Sequence, residues 1–478
     1  MKNILILGSL MGLLLGTTSC REEFLETEPT QTLANPPAQA KLYGLYNMMV
    51  NTYTGGTTAH EDFGQKGYDI MSDFLSADLA LSIDTYGRYR TLANLTTTVD
   101  YTNNFNYMPW RYYYRIVYAT NEIIGGLGGN DAVPSSETDK FSMGQAKAMR
   151  AYAYFYLSQF YNTKYDPAAD SIPLYTETTL GEAKGKAKQS EVYGQIIKDL
   201  KEAITLLDGF ARPNKGVVDK NVAKGLLAYT YAATGDYAQA AVLSKEIMAS
   251  YPKTTTADLV YNATTASGGG FNDLKTASWM WGFDLTLEND LDLVSWWGQM
   301  DYYTYSYQGA GDRKVIDNGL FASIKADDKR KSQYNSVGMP TGKFYAPGRV
   351  AMGQRNVVTD YLFMRADEFY MLAAESLAKS GNEAEAKTIL KSFLDNRLSS
   401  TTYIDGLSGA ALLNEIYLQT RIEFFAEGKS YLAMKRNKAN VTRGTNHLYS
   451  PSKSFSYDAN ELTFDIPQGE INNNPLLK

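Results

Sequence analysis

Apolar positions recur at helical spacing along most of the chain. Leu42, Leu45, Tyr46 and Met49 share one face of a segment from Ala38 to Tyr53. Trp110, Tyr113, Tyr114, Val117, Ile123 and Ile124 continue the same period over a second helix, which the Gly125-Gly126 and Gly128-Gly129 pairs end. A third is expected from Gly144 to Tyr161, apolar at Ala148, Ala151, Tyr152, Phe155 and Tyr156. Further helices are predicted over about 191–208, 220–234, 237–249, 360–380, 382–396 and 410–436. Strict alternation is scarce, and Trp279 to Leu285 is the best short strand.

Two of these helix pairs match when aligned on their turn glycines, Gly235 and Gly381. Both carry Ala seven and three residues before the Gly (Ala228, Ala232; Ala374, Ala378) and five after it (Ala240, Ala386). Apolar residues follow at corresponding places, Leu243 with Ile389 and Ile247 with Phe393. Small residues let antiparallel helices approach closely, and Gly closes the turn. The expected fold class is therefore mainly α, with tetratricopeptide-like helical hairpins and a loop-rich aromatic region, although the repeats are not tandem.

The N-terminus carries a different signal. Lys2 precedes an apolar run from Ile4 to Leu15, too short for a span of about 20 residues but suited to a signal-peptide core. Thr17-Thr18-Ser19-Cys20 then resembles a bacterial lipoprotein box, making residues 1–19 the signal peptide and Cys20 the lipidated first residue. An ordinary secretory signal with an incidental thiol is the other reading. Residues 20–40, with Pro29, Pro36 and Pro37, read as an extended tether. Removing residues 1–19 takes away Lys2 and no acid, so the formal charge moves from −6 to −7.

Composition then narrows the chemistry. Cys20 is the one thiol, so no internal disulfide forms, and His60 and His447 are too few for a His₃ or Cys₂His₂ zinc site. Charges are spread without basic runs, which argues against nucleic acid as a partner. No metal or cofactor is implied. No G-x-S-x-G elbow, Walker loop or H-E-x-x-H occurs, and the two His read as surface or capped residues.

What stands out is aromatic: 37 Tyr and 5 Trp, four of the Trp between Trp279 and Tyr307. Aromatic faces stack on the C–H faces of pyranose rings while Asp, Asn, Arg and Gln bond the hydroxyls. Trp279 and Trp281 alternate along the strand and read first as core, with Trp281 kept as a candidate contact. Trp296, Trp297, Tyr303 and Tyr305, in a Gly-flanked stretch without helical period, divide between core and ligand contact. Asp84 to Tyr89 is a second patch, where Tyr86 and Arg88 supply a stacking face and a planar donor, or else form a solvated turn. Asp69, Asp73 and Asp78 fall near helical spacing, and a solvated helix face is expected there rather than a cation site.

Several segments in order resemble the SusD/RagB family of outer-membrane nutrient-binding lipoproteins of Bacteroidetes. They are Trp110 to Ile116 with Asn121-Glu122-Ile123, Gly144 to Phe155, Asp360 to Ser376, Arg421 to Gly428, and Phe464-Asp465-Ile466-Pro467 through Glu470, Asn474 and Pro475. Asp367 stands where the family pattern has Glu. The resemblance implies one continuous body, residues 41–260 forming a SusD-like N-terminal region and 261–478 the SusD/RagB C-terminal region. It also implies a lipid-anchored protein on the outer face of the outer membrane. Such a protein binds an oligosaccharide opposite the helical repeats and delivers it to a SusC-like TonB-dependent transporter, without catalysis. Alternatives are a peptide or other nutrient as ligand, a surface glycan hydrolase, or a structural scaffold. Arg421, Glu423 and Glu427 are expected to tie helices together.

Overall fold

The computed structural model describes residues 36–478. Cys20, the lipoprotein box and most of the tether lie outside the described residues. The principal helices are α1 Ala38–Met48, α2 Gln65–Leu75, α3 Asn104–Gly126, α4 Glu137–Tyr161, α5 Gln189–Leu206, α6 Lys220–Thr234, α7 Tyr237–Ser250, α8 Asp367–Lys379, α9 Glu383–Leu394, α10 Gly409–Glu423, α11 Ser430–Asn437 and α12 Gln468–Asn473. The strands used below are β1 Leu79–Asp84, β2 Trp279–Phe283, β3 Asp312–Ile316 and β4 Tyr361–Arg365, in antiparallel pairs β1–β3 and β2–β4.

Helices α3 to α9 pack each against the next, so the mainly α class with stacked hairpins holds. Gly235 caps α6 at φ +88° and Gly381 follows α8 at φ +89°, the left-handed geometry that Gly adopts without Cβ strain. Ala228, Ala232, Ala240, Ala374 and Ala386 are buried at the contacts, as the small-residue spacing requires.

Helix boundaries moved where caps or breaks override periodicity. Helix α4 begins at Glu137 because Ser136 accepts from the Asp139 N–H, and two acids in the first turn favour the positive end of the helix. The stretch expected as one helix over 410–436 is two. After α10 the backbone turns through Ala426 at φ +62° and Gly428 at φ +74°, and a Cβ on Gly428 would lie 2.7 Å from Asp69 Oδ1. The first residues of the helix expected over 360–380 are instead strand β4, buried along its whole length against β2.

Strands β1 and β3 add to the predicted elements, and helix α2 lies where a solvated helix face is expected around Asp69, Asp73 and Asp78. Every residue of α2 is buried, which corrects the solvated face expected for Asp69, Asp73 and Asp78. Lys66 pairs with Asp69 at 2.9 Å, the Gly428 N–H donates to Asp73, and Arg421 pairs with Asp78 at 2.6 Å. Burial and the neighbouring Asp78 push the Asp73 carboxyl well above the ordinary range.

Buried charged residues tie the helices and strands to one another. Arg150 joins α4 to α5 through Asp199 at 2.6 Å and to α3 through Asn121 at 2.8 Å. Glu423 accepts from Arg330, Arg365 and Arg397, and Glu427 accepts from Arg365 and Lys343. With Asp328 and Asp367 this is a buried cluster of four cations and four carboxylates. Burial alone would raise the Glu423 carboxyl, but the Arg397, Arg365 and Arg330 guanidiniums hold it well below the usual range.

Candidate functional site

The β1–β3 ladder sets Asp84 opposite Asp312, bringing two aromatic stretches together from distant parts of the chain. Strand β1 runs into the turn Thr85 to Tyr89, and β3 follows the short helix Tyr307–Ala310. The Asp312 carboxylate accepts from the backbone N–H groups of Thr85, Tyr86 and Arg88 at 2.7, 2.6 and 2.9 Å. Asp84 Oδ1 accepts from Gly87 N–H at 2.9 Å, where φ is +82°. Four backbone donors held by two carboxylates make this turn a fixed platform.

On it, the Tyr86 ring is 55% exposed and meets the Tyr307 ring edge-on at 5.7 Å. The Arg88 guanidinium lies 4.9 Å over the Tyr307 ring and 3.5 Å from Glu61. The Tyr307 hydroxyl is 2.8 Å from His60 Nδ1. Burial, and then the Arg88 charge, lower the His60 imidazole below its ordinary value, and burial raises the Tyr307 hydroxyl. Beneath the platform, burial pulls the Lys314 ammonium down to about 8, and it donates to carbonyls of Gln299 and Asp312.

Tyr305 is 40% exposed, with the Arg355 guanidinium 3.9 Å over its ring. Tyr303 is half-buried, its hydroxyl accepting from Arg349 at 2.7 Å. Arg349 itself stands among the rings of Tyr261, Tyr303 and Tyr345 at 3.7, 4.5 and 4.3 Å, so this cage is filled by the protein's own cation. The Asp301 carboxylate accepts from Tyr303 N–H, Thr304 Oγ1 and Ala346 N–H, and burial pushes it up to about 6. It pins the loop that carries the tyrosines.

Three of the expected contacts are core instead. Trp296 and Trp297 are 2% and 1% exposed, at the start of a short helix, Trp296–Met300. Their rings cross at 5.0 Å, and Trp296 packs on Phe344 at 4.7 Å with the Lys66 ammonium 5.3 Å above it. Trp281 is 2% exposed, pressed between Tyr152 and Phe363, its indole N–H donating to Gly216 O at 3.3 Å. None of these rings offers a face to a ligand. His447, expected at the surface or capped, is buried 3.0 Å from Asp317.

The structure thus gives two exposed clusters, Tyr86 and Arg88 set over the buried Tyr307 ring and His60, and Tyr305 with Arg355. Tyr307 was visible as part of the aromatic stretch. Nothing in the sequence marked His60 or Arg355: His60 meets Tyr307 across 247 positions of the chain and Arg355 meets Tyr305 across 50, contacts that only the tertiary fold makes.

Comparison with known proteins agrees with this architecture. A family model described as starch-binding, associating with outer membrane, matches residues 23–228, and the model of the SusD family matches residues 254–478. A SusD-like protein, P25, from Formosa agariphila is 24% identical over 213 residues, 42% of this chain and 38% of that protein, so the match spans well under half of that relative's length. A SusD-like carbohydrate binding protein from Bacteroides vulgatus superposes with a TM-score of 0.76 at 21% identity, covering 92% of this chain and 96% of that one. Surface glycan-binding protein A from Bacteroides thetaiotaomicron, solved in complex with laminarihexaose, gives 0.63 at 16% identity, covering 91% and 97%. At these identities the solved structures establish the fold, while the two family models between them account for most of the sequence. The chain belongs to the SusD/RagB family.

Proposed function

We propose that this protein binds an oligosaccharide on the surface formed by Tyr86, Arg88, Tyr305 and Arg355, holds it without cleaving it, and passes it to a SusC-like TonB-dependent transporter. The carrying observation is the platform itself: two exposed tyrosines and two arginines on a turn and loop that buried carboxylates fix. Rings give stacking area, and guanidiniums give planar donors for vicinal hydroxyls. A preorganised site of this kind loses little entropy on binding.

The local acids favour holding over hydrolysis. A glycosidase needs two carboxyl groups flanking the bond. Here Asp312 is committed to three backbone donors, and Glu61 is buried against Arg88 and the Tyr89 N–H.

Tyr86→Ala and Tyr305→Ala should each weaken binding of the recognised hexaose by about 0.5–1.5 kcal/mol, up to roughly tenfold. Isothermal titration against laminarihexaose, maltohexaose, cellohexaose and xylohexaose reads this out, with reducing-end release assayed on the same samples. Turnover, or unchanged affinity in both variants, would sink the proposal.

Anchoring by a lipid on Cys20 is part of the same reading; among the described residues no helix is long and apolar enough to cross a membrane. Lipid chains hold a folded body at a bilayer without spanning it. Cys20→Ala should move the protein from the membrane pellet to the soluble fraction, and retention in the pellet would speak against the anchor.

A further inference from the structure

A second concave surface lies along α3, and none of its lining residues belongs to the Tyr86–Tyr307 platform. Tyr107, Arg111, Tyr114 and Tyr118 follow one another at four, three and four residues, forming a stripe along one face of the helix. From Tyr107 to Tyr118 that stripe spans about 16 Å at 1.5 Å per residue. Helix α12, through Gly469, Glu470 and Asn473, forms the facing wall, and Leu180 to Ala183 extend it. Two adjoining hollows, of about 640 and 410 Å³, share Tyr114, Tyr118, Glu470 and Asn473, so they are lengths of one trough.

Its chemistry is mixed in a particular way. Tyr118 is 56% exposed, and Tyr114 is half-buried, fixed by its hydroxyl to Pro173 O at 2.7 Å. Arg111 donates to the Tyr107 hydroxyl at 2.9 Å and Arg115 to Thr54 O at 2.8 Å, and each keeps further N–H groups on an exposed guanidinium. Glu470 is held between the Trp110 indole N–H at 3.3 Å and Asn474 Nδ2 at 3.2 Å. Arg111 and Arg115 line one length of the trough with Glu470, and Glu182 lines the other, so the formal charges of its walls balance. A docked amphipathic helix would need a row of aliphatic side chains; rings alternating with planar donors and acceptors suit a chain of hydroxylated rings instead.

We propose that this trough is a second binding site, for a neutral oligosaccharide lying along α3 with its rings on Tyr107, Tyr114 and Tyr118. Two sites on one chain would let a long glycan stay attached through one while the other releases, raising avidity without new contacts.

The test uses the mature protein and the four hexaoses named above, titrated calorimetrically into wild type, Tyr118→Ala, Tyr118→Phe, Tyr86→Ala and the Tyr86→Ala/Tyr118→Ala double variant. Tyr118 is exposed, so an unchanged thermal midpoint checks that each variant is folded. The expected result is two hexaoses per wild-type chain, with Tyr118→Ala losing one or weakening it about tenfold while Tyr118→Phe retains it. Full stoichiometry and affinity in Tyr118→Ala for every hexaose would overturn the second site and leave the platform standing. Loss confined to Tyr118→Ala, with Tyr86→Ala silent, would do the reverse. A wild-type chain that binds none of the four overturns both.

Discussion

Replacing Glu423 with Gln should cost the protein about 3–5 kcal/mol of stability, the penalty for breaking a buried ion pair from one side. The residue accepts from three guanidiniums that are all fully buried, and the four cations of the cluster are matched by four carboxylates. Gln keeps an acceptor but removes the charge, leaving the cluster with one uncompensated cation in a low dielectric. Urea unfolding monitored by tryptophan fluorescence gives the difference, and a midpoint unchanged to within about 0.5 kcal/mol would refute it. The pH dependence carries a sign. The folded Glu423 carboxyl lies well below its unfolded value, and Glu427 is lowered too, burial being outweighed by Arg365 and Lys343. Such groups stabilise the fold at pH values above the unfolded value of about 4.3, and that stability is lost as pH falls through the folded values. Wild type should therefore lose stability on acidification below about pH 4 more steeply than Glu423→Gln.

Trp296→Ala should destabilise by a similar amount, about 3–5 kcal/mol, because removing a buried indole leaves a cavity that Trp297, Phe344 and Tyr361 close only in part. Trp296→Phe should cost less: among the described residues the indole N–H has no acceptor, so its loss removes a buried unsatisfied donor along with the ring atoms. Hexaose affinity of the folded Trp296→Phe protein should match wild type. A stable Trp296→Ala protein that no longer binds glycan would return this ring to the ligand surface and contradict its place in the core.

These two residues show different degrees of legibility. Glu423 sits in the Arg421 to Gly428 segment, where the resemblance to the family motif implies a tie between helices, and in the structure its partners are Arg397, Arg365 and Arg330. Trp296 sits in a stretch with no helical period, so sequence left core and surface open. Its burial comes from Lys66 on α2 and Phe344 in a distant loop. Asp69, Asp73 and Asp78 mislead for the same reason: carboxylates at helical spacing usually face water, and only the approach of Arg421 and Gly428 makes a buried position tolerable.

Period, caps and turn glycines are local properties. They sufficed for the mainly α class, for most of the helices and for the Gly235 and Gly381 hairpins, because helix geometry repeats every 3.6 residues and left-handed turns favour Gly. The break at Gly428 and the strand at Tyr361 escaped because a packing partner, Asp69 in one case and β2 in the other, overrides local preference. The candidate site depended on tertiary structure most of all. Tyr86 and Arg88 were named from their own turn and Tyr305 from its own loop, but what brings that turn against Tyr307, two residues on from Tyr305, is the pairing of Asp84 with Asp312 across the β1–β3 ladder. Which aromatic rings face water is set by contacts between residues far apart in the chain, and composition records how many rings there are but not what lies against them.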